Sequence, residues 1–247
     1  MNWQHLAAEI EGDVLTSRFD RGRYATDASI YQMIPSGVVV PKSFDDVQAT
    51  LEAARTAGVP VTARGGGTSQ SGQTINTGVV LDFSKHLNRI IELDVPNRRA
   101  VVEPGIVLDE LNRTLKPHGL WFPVDVSTAS RATIGGMTAN NSCGSRSIKY
   151  GLMRDNVLAV DAMLVDGSKT RFAEADPETS DPLIQDLVAF GAREADEIAS
   201  RFPKVQRRVG GYNIDALTPG QPLRLSDLIV GSEGTQTKWL TRCQRVD

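Results

Sequence analysis

The sequence predicts an α+β protein in two parts, a small strand–helix–strand unit and a larger part built on a mixed or antiparallel sheet flanked by helices. In the first part, apolar runs at residues 38–41 and 59–63 flank a segment with helical spacing, which indicates a compact βαβ unit. In the second part, two pairs of strand-like runs lie within 89–102 and 157–172. Turn residues join each pair, so both indicate hairpins.

The chain begins with a predicted irregular arm, residues 1–35. Arginines cluster in it at Arg18, Arg21 and Arg23. Solvated charges explain this cluster more simply than a binding patch does.

The helix of the βαβ unit has clear signals at both ends. Ser43 begins it, and Asp46 stands three residues later, in the capping-box relation. Gly58 follows its last turn, where a left-handed residue is expected. A third strand is predicted at 79–82, after the loop that leaves the second strand.

The second part contains two further predicted helices, at 107–117 and 181–202. Apolar residues recur on one face of each at helical spacing. Gly119 ends the first helix and Pro203 ends the second, which is long and amphipathic.

Composition excludes several classes of protein. The chain has 247 residues, a net charge of −3 and 40% hydrophobic residues, which is ordinary for a soluble protein and gives no nucleic-acid surface. It holds no apolar run of ~20 residues that could span a bilayer, and residues 1–10 contain no h-region of the kind expected in a signal peptide. Cys143 and Cys243 lack metal-site spacing, so no metal site is predicted, and a reducing, cytoplasmic setting fits best.

The most unusual stretch is the glycine loop, residues 64–73, with the sequence R-G-G-G-T-S-Q-S-G-Q. Glycine lets another group approach the backbone closely, and successive N–H groups can converge on an anion such as a diphosphate. Gln70 excludes the Rossmann pattern, and Gln73 replaces the lysine of a P-loop. Taken alone, the loop fits a nucleotide site and a glycine-rich surface loop about equally well.

A second unusual stretch, residues 132–144, is rich in small and amide side chains and poor in charge. Such a segment can lie against a flat ring and offer main-chain donors to it. A packing helix of small residues is the simpler alternative. Arg146, Lys149 and Tyr150 follow this stretch and add positive charge and a phenol.

The order of motifs resembles the FAD-binding PCMH-type domain of the vanillyl-alcohol-oxidase flavoprotein family. The motifs are R-G-G-G-T-x-x-S-G, F-P-x-D, A-T-I-G-G-x-x-x-x-N, D-G, G-Y-N and G-S-E-G-T, in that order. The nearest resemblance is to the FAD-linked oxidases, a group that includes glycolate oxidase and the D-lactate and D-2-hydroxyglutarate dehydrogenases. The run N-N-S-C-G-S-R-S at 140–147 resembles the branch fused to an iron–sulfur domain.

The resemblance implies roles for individual residues. The FAD diphosphate would be held by Gly65, Gly66, Gly67, Thr68, Ser69, Gly72 and Gln73, and Arg64 directly before them is a further implied cofactor contact. The remaining implied contacts are Pro123 and Asp125 beside the flavin, Thr133, Gly135, Gly136, Ala139 and Asn140 along the isoalloxazine and ribityl region, Val165 on the adenine side, and Glu233, Gly234 and Thr235 in the closing motif. The first loop offers no histidine, so the resemblance implies non-covalent FAD.

The resemblance also implies a domain plan. The FAD-binding domain would span 36–235, with subdomains at 36–95 and 96–235. Relatives continue with an apolar strand, whereas 236–247 is polar and without a clear pattern. The substrate-binding cap is absent, so the chain is expected to be the N-terminal piece of a longer enzyme, and its catalytic residues stay unassigned.

The implied reaction is the transfer of a hydride from the α-carbon of a D-2-hydroxy acid to FAD. The substrate would be a small molecule of the D-lactate, D-2-hydroxyglutarate or glycolate class, and the sequence leaves the electron acceptor open. The expected location is the cytoplasm, with a peripheral place at the inner membrane as a second option. Two alternatives stay open, another reductase on the same FAD scaffold and a non-catalytic FAD-binding fragment.

Overall fold

The protein forms two main sheets, described by a computed structural model over residues 1–205, 207–235 and 237–245. The first part comprises α1 (Trp3–Glu9), β1 (Asp13–Leu15), α2 (Arg18–Arg23), β2 (Gly37–Val40), α3 (Phe44–Thr56), β3 (Val61–Arg64) and β4 (Val79–Asp82). The second comprises β5 (Ile90–Asp94), β6 (Arg99–Val102), α4 (Leu108–Leu115), α5 (Ile134–Ala139), α6 (Ser147–Tyr150), α7 (Met153–Asn156), β7 (Val157–Leu164), β8 (Lys169–Phe172), β9 (Glu174–Ala175), α8 (Pro182–Arg193), α9 (Ala195–Arg201), β10 (Leu223–Arg224), α10 (Leu225–Ile229) and β11 (Thr237–Arg245), with 3-10 turns at Lys116–His118 and Ile214–Leu217.

The first sheet has the strand order β1-β2-β4-β3. Strands β2, β4 and β3 are parallel, and α3 connects β2 to β3 across the face of the sheet. All four residues of β2 and of β4 are buried, as expected for parallel strands covered on both faces. The predicted βαβ unit is confirmed.

The capping box of α3 is confirmed, and its Asp46 carboxylate also bonds to residues outside the box. Ser43 Oγ accepts from the Asp46 N–H at 3.1 Å, and Asp46 accepts from the N–H groups of Ser43 and Lys42. Asp46 also accepts from the Glu11 N–H at 3.0 Å. Its buried carboxylate therefore holds the N-terminal residues against α3, and Gly58 ends the helix region at φ +64°.

Residues 1–35 are more regular than the predicted arm. They contain α1, β1 and α2, and β1 pairs antiparallel with β2 at the edge of the sheet. Leu6 of α1 is buried in the core of the first part. These elements are three to seven residues long, too short for periodicity to reveal them.

The second sheet is antiparallel throughout, with the order β5-β6-β11-β7-β8. Both predicted hairpins are confirmed, as β5–β6 and β7–β8. The sequence predicts no element in 236–247, whereas the structure forms β11 between β6 and β7. This strand forms because it pairs with β6 and β7, which are distant in the chain, so no local sequence pattern predicts it. Gln236, Val246 and Asp247 lie outside the described residues.

The predicted long helix at 181–202 is two helices, α8 and α9. They meet at Glu194, whose ψ of +6° lies outside the helical region. Apolar residues keep their spacing across this break, because one non-helical residue barely disturbs the periodicity. The first predicted helix is confirmed as α4, which continues into a 3-10 turn that ends at Gly119.

Two large hydrophobic cores hold the two parts, and a smaller cluster of Val38, Val40 and Val80 lies on the other face of the first sheet. The larger one joins α4, α5 and the second sheet, and the other joins α1, α3 and the first sheet. Met163 of β7 packs into the core of the first part, so the second sheet contributes to both. No helix in the described ranges is long and apolar enough to cross a membrane.

Replacing Asp46 by alanine is expected to lower the free energy of unfolding by about 2–4 kcal/mol. The change removes the carboxylate half of the capping box, and the N–H groups of Glu11, Lys42 and Ser43 lose their bonds to a charged acceptor. Urea denaturation measures the loss. The matched control is Asp45→Ala in the same helical turn, since the Asp45 side chain is 93% exposed. Equal losses for both variants would contradict the anchoring role of Asp46.

Candidate functional site

Two adjoining clefts lie where the first part meets α5. The first cleft encloses about 530 Å³ and the second about 660 Å³, both counted with the solvent at their open sides. They share Gly65, Thr74, Thr133, Gly136 and Asn140, so together they form one continuous groove. The glycine loop lies along one wall of this groove, and α5 lies along the other.

The glycine loop leaves β3 at its carboxyl end, where parallel sheets bind ligands. Within the described residues, the main-chain N–H groups of residues 65–70 donate to no protein acceptor. Gly67 has φ +66°, a conformation that favours glycine. Six consecutive free donors in a short loop are the arrangement that binds an anion.

The loop packs directly on the turn that precedes α5. A Cβ on Gly65 would lie 2.1 Å from Thr133 Oγ1, and one on Gly66 would lie 2.2 Å from the carbonyl oxygen of Arg131. Real carbon atoms do not approach so closely, so only glycine fits at these two positions. The absence of two side chains therefore sets the width of the groove.

Helix α5 is fixed by its own first residues. Thr133 caps it, because its Oγ1 accepts from the Gly136 N–H at 3.2 Å. The Gly135 N–H donates to Pro104 O at 2.7 Å, and the Ile134 N–H donates to Ile106 O at 2.8 Å. The helix is thus held between the turn after β6 and the glycine loop. The structure shows a short helix of mostly small residues that lines both clefts, and the lining of a flat ring stays a prediction.

The closing motif runs along the end of α5. The Gly231 N–H donates to Thr138 O, and the Glu233 N–H donates to Ala139 O, each at 2.9 Å. These bonds bring Glu233, which has φ +54°, into the first cleft. Burial raises the pKa of Glu233, and a hydrogen bond from Gln73 opposes that shift. The Gln73 Oε1 atom is buried and has no hydrogen-bond partner in the described part of the chain.

A buried polar network supports the closing motif from behind. Asn213 donates to Asp227 O at 3.0 Å and to Val230 O at 2.6 Å. Arg154 bonds to Asp215 at 3.2 Å, and Arg224 lies 3.2 Å from Asp227. Burial raises the pKa of Asp227 to about 6, although Arg224 and Arg154 oppose this rise. The network therefore ties α7, α10 and the second 3-10 turn together, and its bond to Val230 holds the residue directly before the closing motif.

Most of the predicted site residues lie on the groove. They are Arg64, Gly65, Gly66, Gly67, Thr68, Ser69, Gln73, Thr133, Gly135, Gly136, Ala139, Asn140, Glu233 and Gly234. Residues from three distant segments thus converge, which is how the structure assembles the separate motifs into one place.

The other predicted residues line neither cleft. Asp125 accepts from Ser145 Oγ at 2.7 Å and so shapes the loop before α6. Thr235 is held by the Tyr212 hydroxyl at 2.7 Å, and Val165 is 65% exposed at the β7–β8 hairpin. Gly72 and Pro123 likewise lie outside the lining of both clefts.

Sequence reasoning missed several lining residues. They include Thr74, Phe83, Pro104, Thr128 and Met137. Thr74 adjoins Gln73 and was within reach of the loop pattern. The turn at Pro104 gives no comparable signal, because its role depends on the carbonyl groups that it offers to α5.

The FAD binding domain family model matches residues 35–173. D-2-hydroxyglutarate dehydrogenase of Pantoea ananatis is 38% identical over 239 residues, which are 91% of this chain and 23% of that protein. Glycolate oxidase subunit GlcD of Bacillus subtilis is 33% identical over 86% of this chain and 37% of its own length. D-lactate dehydrogenase of Archaeoglobus fulgidus is 42% identical over 53% of this chain and 29% of its own. The chain therefore spans well under half the length of these relatives.

Solved structures agree on the fold. Alkyldihydroxyacetonephosphate synthase superposes with a TM-score of 0.71 at 19% identity, over 99% of this chain and 39% of its own. Physcomitrella patens BBE-like 1 superposes with a TM-score of 0.69 at 17% identity, over 100% of this chain and 44% of its own. These likenesses establish the α+β fold that the sequence predicted.

Replacing Asp227 by asparagine is expected to remove a pH-dependent loss of stability. The pKa of this carboxyl is about 6 in the folded protein, above its ordinary value of 3.8, so the folded state binds the proton more tightly. Relative to Asp227→Asn, the free energy of unfolding of the native protein should fall as pH rises from about 4 to about 7. Urea denaturation of both proteins across this range measures it.

The matched control is Asp166→Asn in the β7–β8 turn. Bonds from Ser168 lower the pKa of Asp166, so its contribution to stability is lost only at a pH below that range. A constant difference between the native protein and Asp227→Asn from pH 4 to pH 7 would show that Asp227 titrates normally.

Proposed function

The chain belongs to the FAD-binding domain family, and from this premise we propose that it is the flavin-binding part of a longer dehydrogenase that oxidises a D-2-hydroxy acid. The observation that carries the proposal is the row of free main-chain N–H groups at residues 65–70. These donors lie in a groove whose walls come from the segments that the family motifs mark.

The residues of the groove fit FAD. The free N–H groups of the glycine loop suit a diphosphate, and each bond to a charged oxygen contributes about 1.5–3 kcal/mol. Arg64 adds positive charge beneath them, since its Nη2 would lie 2.6 Å from a Cβ on Gly67. In the first cleft, the buried and unpartnered Gln73 Oε1 can accept from an N–H of a flavin ring. The small residues Gly136 and Ala139 leave room for that ring.

The FAD is proposed to be non-covalent. Covalent attachment needs a nucleophilic side chain beside the ring, such as histidine or cysteine. None of the described residues that line the two clefts is of either type. Hydrogen bonds and packing alone would then hold FAD in the groove.

The reaction proposed is oxidation of an α-hydroxyl group. The hydroxyl loses its proton to a base, the α-carbon loses a hydride, and the product is a 2-oxo acid. Bound FAD supplies the hydride acceptor, while the protein supplies position and electrostatics. Among the described lining residues, Glu233 carries the one carboxyl group. Its N–H is bonded to α5 and its side chain interacts with Gln73, which favours a structural role over that of the base. We therefore assign the base and the substrate clamp to a part of the longer enzyme outside this chain.

The names of the relatives support the substrate class. D-2-hydroxyglutarate, D-lactate and glycolate, which these names contain, all carry a hydroxyl on the carbon next to a carboxylate. We further propose that the enzyme works in the cytoplasm, where it can associate with the periphery of the inner membrane. The second candidate function is that of a non-catalytic FAD-binding fragment. It is favoured by the match to the Pantoea relative, which covers only 23% of that protein.

The direct test is the visible absorption spectrum of the purified chain, before and after acid precipitation. We expect flavin peaks that move entirely to the supernatant, because the cofactor is non-covalent. With a dye acceptor, the chain alone should not turn over D-2-hydroxyglutarate or D-lactate, whereas the full-length enzyme should. Failure of the chain to bind added FAD would refute the proposal. Turnover by the chain alone would overturn the assignment of the base to another part of the enzyme.

Replacing Gly65 by alanine is expected to weaken FAD binding at least about tenfold. The new Cβ would lie 2.1 Å from Thr133 Oγ1, so the loop must move away from α5 and its N–H groups must diverge. Loss of one bond to a charged oxygen already corresponds to about this factor. Fluorescence titration with FAD measures the dissociation constant.

Gly22→Ala in α2 is the matched control, because a Cβ there meets nothing within 4 Å. It should leave FAD affinity unchanged. Equal affinities for the two variants would show that the close packing of Gly65 has no part in binding.

A further inference from the structure

We propose that the arm segment, residues 24–33, is a positioning element of the flavin site that holds the glycine loop in its binding conformation. This inference rests on the proposed function, since the ligand of the loop is taken to be FAD. No residue of the arm segment lines either cleft. It also precedes the matched family domain, which begins at residue 35. Its effect on binding must therefore pass through the loop.

Arg64, the first residue of the glycine loop, links the arm segment to Thr74, the residue that directly follows the loop. Its Nη2 donates to Thr26 O at 2.9 Å, and its Nη1 donates to Thr74 O at 3.4 Å. The guanidinium carbon lies 5.4 Å from the centre of the Tyr24 ring, a cation–π distance. The Tyr24 hydroxyl donates in turn to Asp82 at 2.7 Å. The arginine at the start of the loop is thus fixed by the arm segment, and it in turn holds the residue that directly follows the loop.

Three further contacts reach other points of the loop. The Ala28 N–H donates to Gly67 O at 3.1 Å. The hydroxyl of Thr74 donates to Asp27 Oδ2 at 3.0 Å. The Tyr31 ring covers Gly72, since its Cδ2 would lie 3.0 Å from a Cβ there. The arm segment therefore contacts the loop at its beginning, middle and end.

The arm segment is ordered well enough to hold another segment. The beginning and the end of the segment pair with each other. The Met33 N–H donates to Ala25 O at 2.9 Å, and Thr26 and Gln32 form an antiparallel β-bridge. Ala25 is only 1% exposed. The Ser29 N–H donates to Asp27 Oδ1 at 2.8 Å, which fixes the carboxylate that meets Thr74.

The glycine loop needs such support. Glycine loses more conformational entropy on ordering than any other residue, and this loop contains four glycines. The contacts from the arm use a loop carbonyl and side chains, so they leave the N–H groups of 65–70 free. A loop that is ordered before FAD arrives spends less binding free energy on its own ordering.

The test compares Asp27→Ala with Asp20→Ala. Asp27→Ala removes the bonds to Thr74 and Ser29, whereas the Asp20 carboxylate accepts from Ser17 Oγ and from Arg23 and contacts no loop residue. We expect Asp27→Ala to raise the dissociation constant for FAD about five- to twentyfold. Asp20→Ala should leave it unchanged, with a similar change in the thermal midpoint of the FAD-free protein. Asp27→Asn should restore affinity, since its Oδ1 can accept from the Ser29 N–H while its Nδ2 donates to the Thr74 hydroxyl.

Hydrogen exchange of the FAD-free protein gives a readout that needs no ligand. The amides of residues 65–74 should exchange faster in Asp27→Ala than in Asp20→Ala. Should Asp27→Ala fail to fold, Tyr24→Phe carries the same comparison, because it removes only the bond to Asp82. Equal affinity and equal loop exchange in the Asp27 and Asp20 variants would overturn the inference. Failure of the native protein to bind FAD, with faster loop exchange in Asp27→Ala, would instead refute the proposed function and leave the positioning role intact.

Discussion

The groove depends on one steric constraint, the contact between the glycine loop and the turn before α5. Gly65 lies against Thr133, and Gly66 lies against the carbonyl of Arg131, with no space for a Cβ at either position. This contact brings the carboxyl end of the first sheet up to a helix of the second part. The width of both clefts, the direction of the loop and the position of Thr133 at the start of α5 all follow from it.

In the described part of the chain, main-chain donors without protein partners follow one another along the glycine loop, where a charged ligand would lie. Buried donors and acceptors normally pair, because an unpaired one costs about 1–3 kcal/mol. The glycine loop avoids most of that cost because it is open to solvent, where water can serve until a ligand displaces it. Gln73 Oε1 is buried and has no such relief in the described residues. Arg64 bonds to the carbonyls of Thr26 and Thr74 while its positive charge stays beneath the loop. The site thus combines free donors with a fixed cation.

How far the sequence predicted this protein depends on the range of each interaction. The capping box at Ser43 and Asp46, the hairpin turn at Asp166 and the left-handed Gly58 were predictable because neighbours in the chain form them. Glu194 interrupts a helix that periodicity alone would continue. The ordered contacts of residues 1–35 and strand β11 were missed, since their partners lie far away in sequence. For the candidate site, ordered motifs identified most of the groove, but Pro104 and Phe83 enter it through main-chain packing that leaves no motif.

The sequence by itself determined the fold class, the family and the segments that line the groove, because glycine spacing, capping residues and motif order are local properties of the chain. Only the tertiary structure decided which residues meet. It placed Val165 and Thr235 off the groove, brought Glu233 beside Gln73, and set Tyr24 and Asp27 against the glycine loop. The physical reason is that these contacts depend on how close two distant backbones come. Packing of the whole molecule fixes that distance, down to the space that a single Cβ would fill.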